Sequence, residues 1–204
     1  MAQISLEGMR VAIVVTDDFE QIELTAPRRA LRDSGAEALI VAPKTGQLQG
    51  MNHDEKADLF DVDLLLKDTN PEDFDALMLP GGVINADQLR IVPKAQEFAR
   101  KIDQAGKPIA VICHGPWLLV SAGLVCGRRM TSYHTIQDDL RNAGAQWEDL
   151  EVVRDRNWVS SRQPADIPAF NREMLTLFAE HRKVAALAPS GKRAEEERHF
   201  VRSR

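Results

Sequence analysis

The apolar residues of this chain gather into short runs with almost no polar interruption. Arg10–Val15 (RVAIVV), Glu37–Ala42 (EALIVA), Asp75–Leu79 (DALML) and Ile109–Ile112 (IAVI) are the clearest. Such runs predict strands buried on both faces. Between them lie stretches of helical character. Glu20–Ser34 reads as a helix ended by Gly35, with Pro27 as an obstacle to an uninterrupted one. Pro93–Gln104 reads as a helix with proline at its start and Gly106 beyond its end. Thr135–Asn142, stopped by Gly144, and Pro168–His181 complete the helices of ordinary length. Lys44–Phe60 holds Gly46 and Gly50 between apolar-polar stretches and predicts a hairpin. Asp61–Asp73 predicts a polar loop with a short helical piece over Val62–Leu66, and Ala86–Arg90 a helical turn. Arg128–Ser132 predicts a short strand; Glu151–Arg154 and Trp158–Ser161 predict a hairpin around Asp155–Asn157.

Strands that alternate with helices imply a mostly parallel sheet with helices on both faces. The expected fold is therefore a flavodoxin-like α/β three-layer sandwich. It is expected to occupy residues 1–181, with no internal repeat. Residues 182–204 change character, and Lys192–Arg204 is dominated by Lys, Arg and Glu. This segment reads as an appended charged tail, helical or disordered, solvated as chain ends usually are.

The composition narrows the function classes. The 204 residues are 44% hydrophobic and 28% charged, ordinary for one soluble globular domain. A net charge of -5 argues against nucleic acid or an anionic membrane as the main partner. No apolar run approaches a membrane span. The first residues lack a basic segment leading into an apolar core and cleavage site, so a cytoplasmic location is expected. Cys113 and Cys126 flank a predicted short helix, Trp117–Ala122, and stand too far apart for a disulfide. Two free thiols fit a reducing compartment. No Cys/His cluster has zinc-ligand spacing, and neither metal nor cofactor is expected.

The chemistry concentrates where the strand Ile109–Ile112 meets Cys113-His114-Gly115-Pro116. Gly115 and Pro116 open the short helix, so Cys113 sits on a sharp strand-to-helix turn, the geometry of a nucleophile elbow. Backbone N–H groups and the helix N-terminus are expected to favour its thiolate and to hold an oxyanion. The plainer alternative is a small buried hydrophobe. His114 is either a base, if its ring turns to the sulfur, or a structural histidine. Ligands bind outside the carboxyl ends of parallel strands. The first strand leads there to Glu20 and Glu23, on one helix face. A carboxyl group beside a thiolate should have a raised pKa and donate a hydrogen bond to sulfur; alternatively these acids complement the helix dipole. Gly81-Gly82 closes the third strand, where bare backbone can approach a ligand and complete an oxyanion hole, or simply turn.

Several segments together resemble the PfpI family of the DJ-1/PfpI superfamily: Asp18–Leu24 (DFEQIEL), Phe74–Gly82 (FDALMLPGG), Ala110–Pro116 (AVICHGP), Gly127–Tyr133 (GRRMTSY), Asn142–Trp147 (NAGAQW) and Asn157–Arg162 (NWVSSR). The resemblance runs from about Met9 to about Glu180 and implies a nucleophile at Cys113 with Glu23 as the acid bonded to its sulfur. Glu20 corresponds to a second acid nearby. It further implies that an acid from a neighbouring subunit orients His114. Asp87 is the best match, although it replaces a Glu of some members and stands one residue further from Gly82. Tyr133 corresponds to a pocket-lining Tyr, and Trp117, at a variable position, is expected to narrow the pocket. The implied activity is that of a stress-response cysteine hydrolase. Its expected substrates are glyoxal or methylglyoxal adducts, as in deglycases and glyoxalases, or short peptides. The expected assembly is a homo-oligomer, most simply a dimer. The alternative is a non-enzymatic sensor or chaperone that reads oxidation of Cys113. A class I glutamine amidotransferase is excluded, because no His-x-Glu pair follows Cys113.

Overall fold

Residues 4–187 are described by the structure, a computed structural model. The apolar run at the start forms β1 (Arg10–Val14). A two-residue strand, β2 (Phe19–Glu20), leads directly into α1 (Gln21–Asp33). Pro27 does not break α1; it is buried there. Next come β3 (Glu37–Ala42) and the predicted hairpin, β4 (Gln47–Asn52) with β5 (Glu55–Asp61). A short strand, β6 (Leu64–Leu65), and a 3-10 turn at Leu66–Asp68 stand where a helical piece was expected over Val62–Leu66. Leu64 pairs with Val41 and Leu65 with Ala42, so the edge of the sheet captures this stretch as strand. Then follow β7 (Ala76–Leu79), α2 (Val83–Arg90), α3 (Pro93–Gln104), β8 (Ile109–Ile112) and α4 (Pro116–Ser121). The predicted strand over Arg128–Ser132 shrinks to β9 (Arg129–Met130). The chain continues through α5 (Gln137–Asn142), β10 (Gln146–Trp147), β11 (Val152–Asp155), β12 (Trp158–Ser161) and α6 (Ile167–Leu187). Because α6 runs on to Leu187, His181 is not a structural boundary. Residues 188–204 of the expected tail lie outside the described residues.

The main sheet has the order β11-β12-β8-β7-β1-β3-β6, and every pairing is parallel except β11 with β12. Its five central strands, β3-β1-β7-β8-β12, follow the 2-1-3-4-5 winding of flavodoxin-like folds. The two faces explain the uninterrupted apolar runs. Side chains alternate along each strand. Val11, Ile13, Met78 and Ile112 pack with Leu24 and Leu31 of α1 and Phe170, Met174 and Phe178 of α6. Ala12, Val14, Leu77, Leu79 and Val111 pack on the other side with Phe98 and Ile102 of α3 and Leu118 and Leu119 of α4. Both faces are covered, so polar alternation has no place. Each fully buried Leu, Ile or Phe contributes roughly 1.5–3 kcal/mol.

The end of the sheet where β8 and β12 begin is fastened by a buried ionic cluster. Arg128 Nη2 donates to Asp103 Oδ1 at 2.7 Å, and Trp158 Nε1 donates to the same oxygen at 2.8 Å. The Arg128 guanidinium lies 4.1 Å from the centre of the Trp158 ring. Among the described residues, no helix is long and apolar enough to cross a membrane.

Candidate active site

Three strand ends meet on one side of the sheet at its winding reversal. Beyond β1, Glu20 at the end of β2 and Glu23 in the first turn of α1 face this side; the turn after β7 supplies Gly81 and Gly82, and the turn after β8 supplies Cys113 and His114. Cys113 has φ 62°, a left-handed conformation that a non-glycine residue adopts at a cost of about 1–3 kcal/mol. Backbone bonds hold it there from two sides. Cys113 N–H donates to the carbonyl of Ser161 on β12 (3.1 Å), and the Cys113 carbonyl accepts from Tyr133 N–H (2.9 Å). The expected elbow is present, and its sulfur-bearing residue is buried, 6% exposed.

Glu23 projects from the first turn of α1 and is fully buried. Its Oε2 accepts the Gly81 N–H at 2.9 Å, while Oε1 has no hydrogen-bond partner of good geometry. A side chain at position 81 could not fit, because a Cβ there would lie 2.3 Å from Glu23 Oε2 and 2.9 Å from Cys113 Sγ. Burial above all, with the charge of Glu20 adding to it, pushes the Glu23 carboxyl up to about 8. Glu23 is therefore neutral at pH 7 and able to donate a proton toward the sulfur. The Cys113 thiol is also pushed well above its ordinary value, first by burial and then by the negative form of Glu23. The N–H groups of Gly82 and His114 oppose this by bonding the sulfur. The sequence led to the opposite expectation, a thiol made acidic by a helix N-terminus. That expectation fails because α4 has only 6 residues and desolvation outweighs its dipole. Glu23 and Cys113 titrate as a coupled pair, and the thiolate is disfavoured less while Glu23 keeps its proton.

His114 does turn to the sulfur, with Nδ1 3.1 Å from Cys113 Sγ. Its Nε2 lies 3.3 Å from Thr135 Oγ1. The ring is flanked by Tyr133 at 4.8 Å and Trp117 at 5.5 Å between centroids. Burial, then the neighbouring His134, lowers its pKa to about 4, so the imidazole is neutral at pH 7. A neutral ring that accepts the thiol proton at Nδ1 must carry its own proton on Nε2, and Thr135 Oγ1 is then the acceptor that fixes this tautomer.

These groups open into a cavity of about 720 Å³. Glu20, Glu23, Gly82, Cys113, His114 and Tyr133 all line it. Gly81 does not: its N–H is spent on Glu23, which leaves the Gly82 and His114 N–H groups as the donors beside the sulfur. Trp117 does not line it either. Its Nε1 donates to Asp139 Oδ2 at 2.8 Å and the Arg90 guanidinium lies 5.1 Å from its ring, so it backs His114 instead of narrowing the pocket. Asp87 is exposed on α2, and within the chain the His114 nitrogens face Cys113 and Thr135.

Other contributors escaped the sequence reading. Asn85 is buried, accepts from Thr16 N–H (2.8 Å) and donates to the Gly81 carbonyl (2.9 Å), which ties the β1 and β7 turns together. Met51, His53 and Asp54 reach the cavity because β2 pairs with β4, Phe19 opposite Gly50 and Glu20 opposite Met51. Gln163–Ala165 close another side. The hairpin over Lys44–Phe60 was expected from the sequence, without a reason to bring it here.

Residues 9–177 match the model of the DJ-1/PfpI family. A Pyrococcus abyssi protein named as a deglycase is 47% identical over 83% of this chain and 99% of its own length. A Bacillus subtilis protein, YraA, named provisionally as a cysteine protease, is 40% identical over 83% of this chain and 98% of its own. Among solved structures, a ThiJ/PfpI domain protein from Brachyspira murdochii superposes with a TM-score of 0.78 at 18% identity, over 85% of this chain and 98% of that one.

Proposed function

The chain belongs to the DJ-1/PfpI family, and from that premise we propose that it is a cysteine-nucleophile enzyme of the deglycase type, acting on adducts of glyoxal or methylglyoxal. The observation that carries the proposal is the meeting of three groups at one cavity: Cys113 on a strained elbow, His114 Nδ1 at 3.1 Å from its sulfur, and a buried, neutral Glu23 beside it. In the proposed reaction the Cys113 proton passes to His114 Nδ1 as the sulfur displaces the carrier from the saturated adduct carbon, the carbon–carrier bond breaking as the carbon–sulfur bond forms. The carrier amine or thiol leaves with a proton returned by His114. A proton then moves from the sulfur-bearing carbon to the neighbouring carbonyl carbon, which oxidises the first and reduces the second without an external oxidant. Water releases the resulting thioester as a 2-hydroxy acid. His114 and Glu23 flank the site of the proton shift, and the N–H groups of Gly82 and His114 support this reading as donors to developing negative charge.

A peptidase would use the same nucleophile, and the name given to YraA favours that second reading. A sensor of Cys113 oxidation is less well supported, because a buried thiol with a raised pKa is a poor target for peroxide from solvent. The proposed active unit is a homodimer or larger assembly in which Asp87 of a second copy approaches His114; exposure of Asp87 beside exposed Val83 and Ile84 supports it. The deciding experiment follows wild type and Cys113→Ala with methylglyoxal hemithioacetals, methylglyoxal-treated amines and fluorogenic peptides in parallel. Hydroxy acid production that is lost in Cys113→Ala is the expected result. Cleavage of peptides alone would replace the deglycase reading by the peptidase one.

A further inference from the structure

The cavity that holds Cys113 carries charge of one sign at its mouth. Asp18, Glu20 and Asp54 line it, and no lysine or arginine is among its described lining residues. Asp18 and Asp54 have no cationic partner among the described residues, whereas the nearby Asp17 is already paired with Lys44 at 2.6 Å. Glu20 accepts the His53 N–H at 3.1 Å, and the His53 ring, 3.7 Å away, can offset that one charge when protonated. Met51 and the partly exposed Val83 and Ile84 add apolar surface to the lining. Beside the rim, Glu23 lines the same cavity with a fully buried carboxyl group whose Oε1 has no hydrogen-bond partner of good geometry, so the charged rim leads directly to the Glu23–Cys113 pair. A low-dielectric cleft ringed by one sign of charge concentrates ions of the other sign.

We propose that Asp18, Glu20 and Asp54 make the site selective for adducts on cationic carriers, such as protonated amines, and turn away adducts on carriers with a carboxylate or phosphate. The inference rests on the reading of Cys113 as the nucleophile of a deglycase and deepens it by naming the charge class of the substrate. The carrier lies outward from the reacting carbon, so its charge falls at the rim. The glyoxal-derived portion, small and neutral, occupies the space between Tyr133 and Gly82.

The test reads charge preference at Cys113 without requiring turnover. In a Cys126→Ser background, which leaves one thiol, the rates of modification by two methanethiosulfonates are compared: the ethyltrimethylammonium cation and the ethylsulfonate anion. In each, the Cys113 sulfur forms a mixed disulfide, methanesulfinate leaves with the bonding pair, and the thiol proton passes to His114 or water. Each rate is normalised to that of free 2-mercaptoethanol. The expected cation-to-anion ratio is roughly tenfold or more at low salt, at the lower end of what electrostatic focusing produces. It should fall toward unity in 0.5 M sodium chloride, where charges more than about 4 Å apart are screened. It should fall likewise in the combined Asp18→Asn, Glu20→Gln, Asp54→Asn variant. The salt arm needs no substitution and stands even where that variant folds poorly. A normalised ratio at or below unity, or one that neither salt nor the variant moves, overturns the proposal. Failure of the underlying reading would show separately, as an absence of Cys113-dependent hydroxy acid production. Where turnover is present, the hemithioacetal of 2-(dimethylamino)ethanethiol should be processed with a kcat/KM at least several-fold above that of 3-mercaptopropionate, with 2-mercaptoethanol between them.

Discussion

Replacing Glu23 by glutamine should stabilise this protein while damaging its site, and the gain should grow with pH. The folded-state pKa of Glu23 is raised from 4.5 to about 8. Between those values the folded chain binds a proton at Glu23 that the unfolded chain has released. Stability changes with pH in proportion to the protons bound by the unfolded state minus those bound by the folded state, so here it falls as pH rises. The penalty begins near pH 4.5, grows by about 1.4 kcal/mol per pH unit and levels off near pH 8. At pH 7 it amounts to roughly 3 kcal/mol. Glutamine keeps the size and one acceptor for the Gly81 N–H, and its amide can point at the sulfur, but it has no proton to lose. Urea unfolding of wild type and Glu23→Gln at pH 5, 6, 7 and 8 should therefore give nearly equal stabilities at pH 5 and a gap that widens to about 3–4 kcal/mol at pH 8. His114 also titrates across folding, with its pKa lowered to about 4, so it contributes stability that rises with pH only below its unfolded value of 6.5. That contribution is common to both proteins and cancels in the difference. A gap that does not change with pH would refute the argument, because it would mean that the buried carboxyl is already ionised at pH 5.

Four further experiments probe separate parts of the structure. Thr135→Val should lower kcat by roughly tenfold, with KM little changed, by releasing the His114 tautomer, and Thr135→Ser should restore it; equal activity in all three would remove Thr135 from the machinery. Gly81→Ala forces a Cβ to 2.3 Å from Glu23 Oε2, so a loss of at least about 100-fold in activity is expected alongside about 1–3 kcal/mol in unfolding free energy. Asp103→Ala removes the nearer of the two carboxylates on buried Arg128, leaving Asp155 at 3.5 Å, and should cost about 3 kcal/mol, read as a fall in Tm of roughly 6–12 °C, with kcat/KM unchanged at temperatures where the variant is folded. Co-expressed Cys113→Ala and Asp87→Asn should regain part of the activity each lacks alone if Asp87 serves His114 across an interface; a fully active Asp87→Asn, or no rescue in proven mixed dimers, rejects that role.

What the residues reveal in order along the chain depends on how local the cause is. The strands β1, β3, β7 and β8 were legible because burial on both faces removes polar alternation, a local signature. Cys113 was legible because Gly115 and Pro116 announce the turn that follows it. Glu23 was legible only as an acid in a first turn, and the resemblance to the PfpI family singled it out from Glu20. Causes that act between distant segments left little trace. The pairing of Phe19–Glu20 with Gly50–Met51 involves two residues on each side, too few for a periodic pattern, yet it carries His53 and Asp54 to the cavity. Asn85 acts through hydrogen bonds to two turns, and nothing near it in sequence foretells them. Trp117 was misplaced because an aromatic residue after an elbow suits a pocket wall equally well, and the bond to Asp139 decides its direction. The acidity of Cys113 was misjudged in sign because a dipole can be inferred from a helix start, whereas desolvation is set by the whole fold.

The burial that raises the Cys113 thiol also explains why the site is built as it is. A thiol in an open, basic setting would be ionised in advance and exposed to any oxidant. Here sulfur and carboxyl are buried together; burial makes the charged form of each harder to reach, and the charge of Glu23 raises the thiol further. The pair therefore holds its protons until a bound adduct supplies the electrophile and His114, 3.1 Å away and neutral, supplies the base. The cost is visible in three places: a left-handed cysteine, an unpartnered buried carboxyl oxygen and a stability that declines toward alkaline pH. Each could be relieved by a single substitution, and each relief removes a group or a geometry that the proposed reaction uses. A fold with two full hydrophobic layers and the Asp103–Arg128–Trp158 cluster at the far end of its sheet can carry that strain. Substitutions at that far end should lower stability without altering the pH profile of turnover, whereas Glu23→Gln should do the reverse.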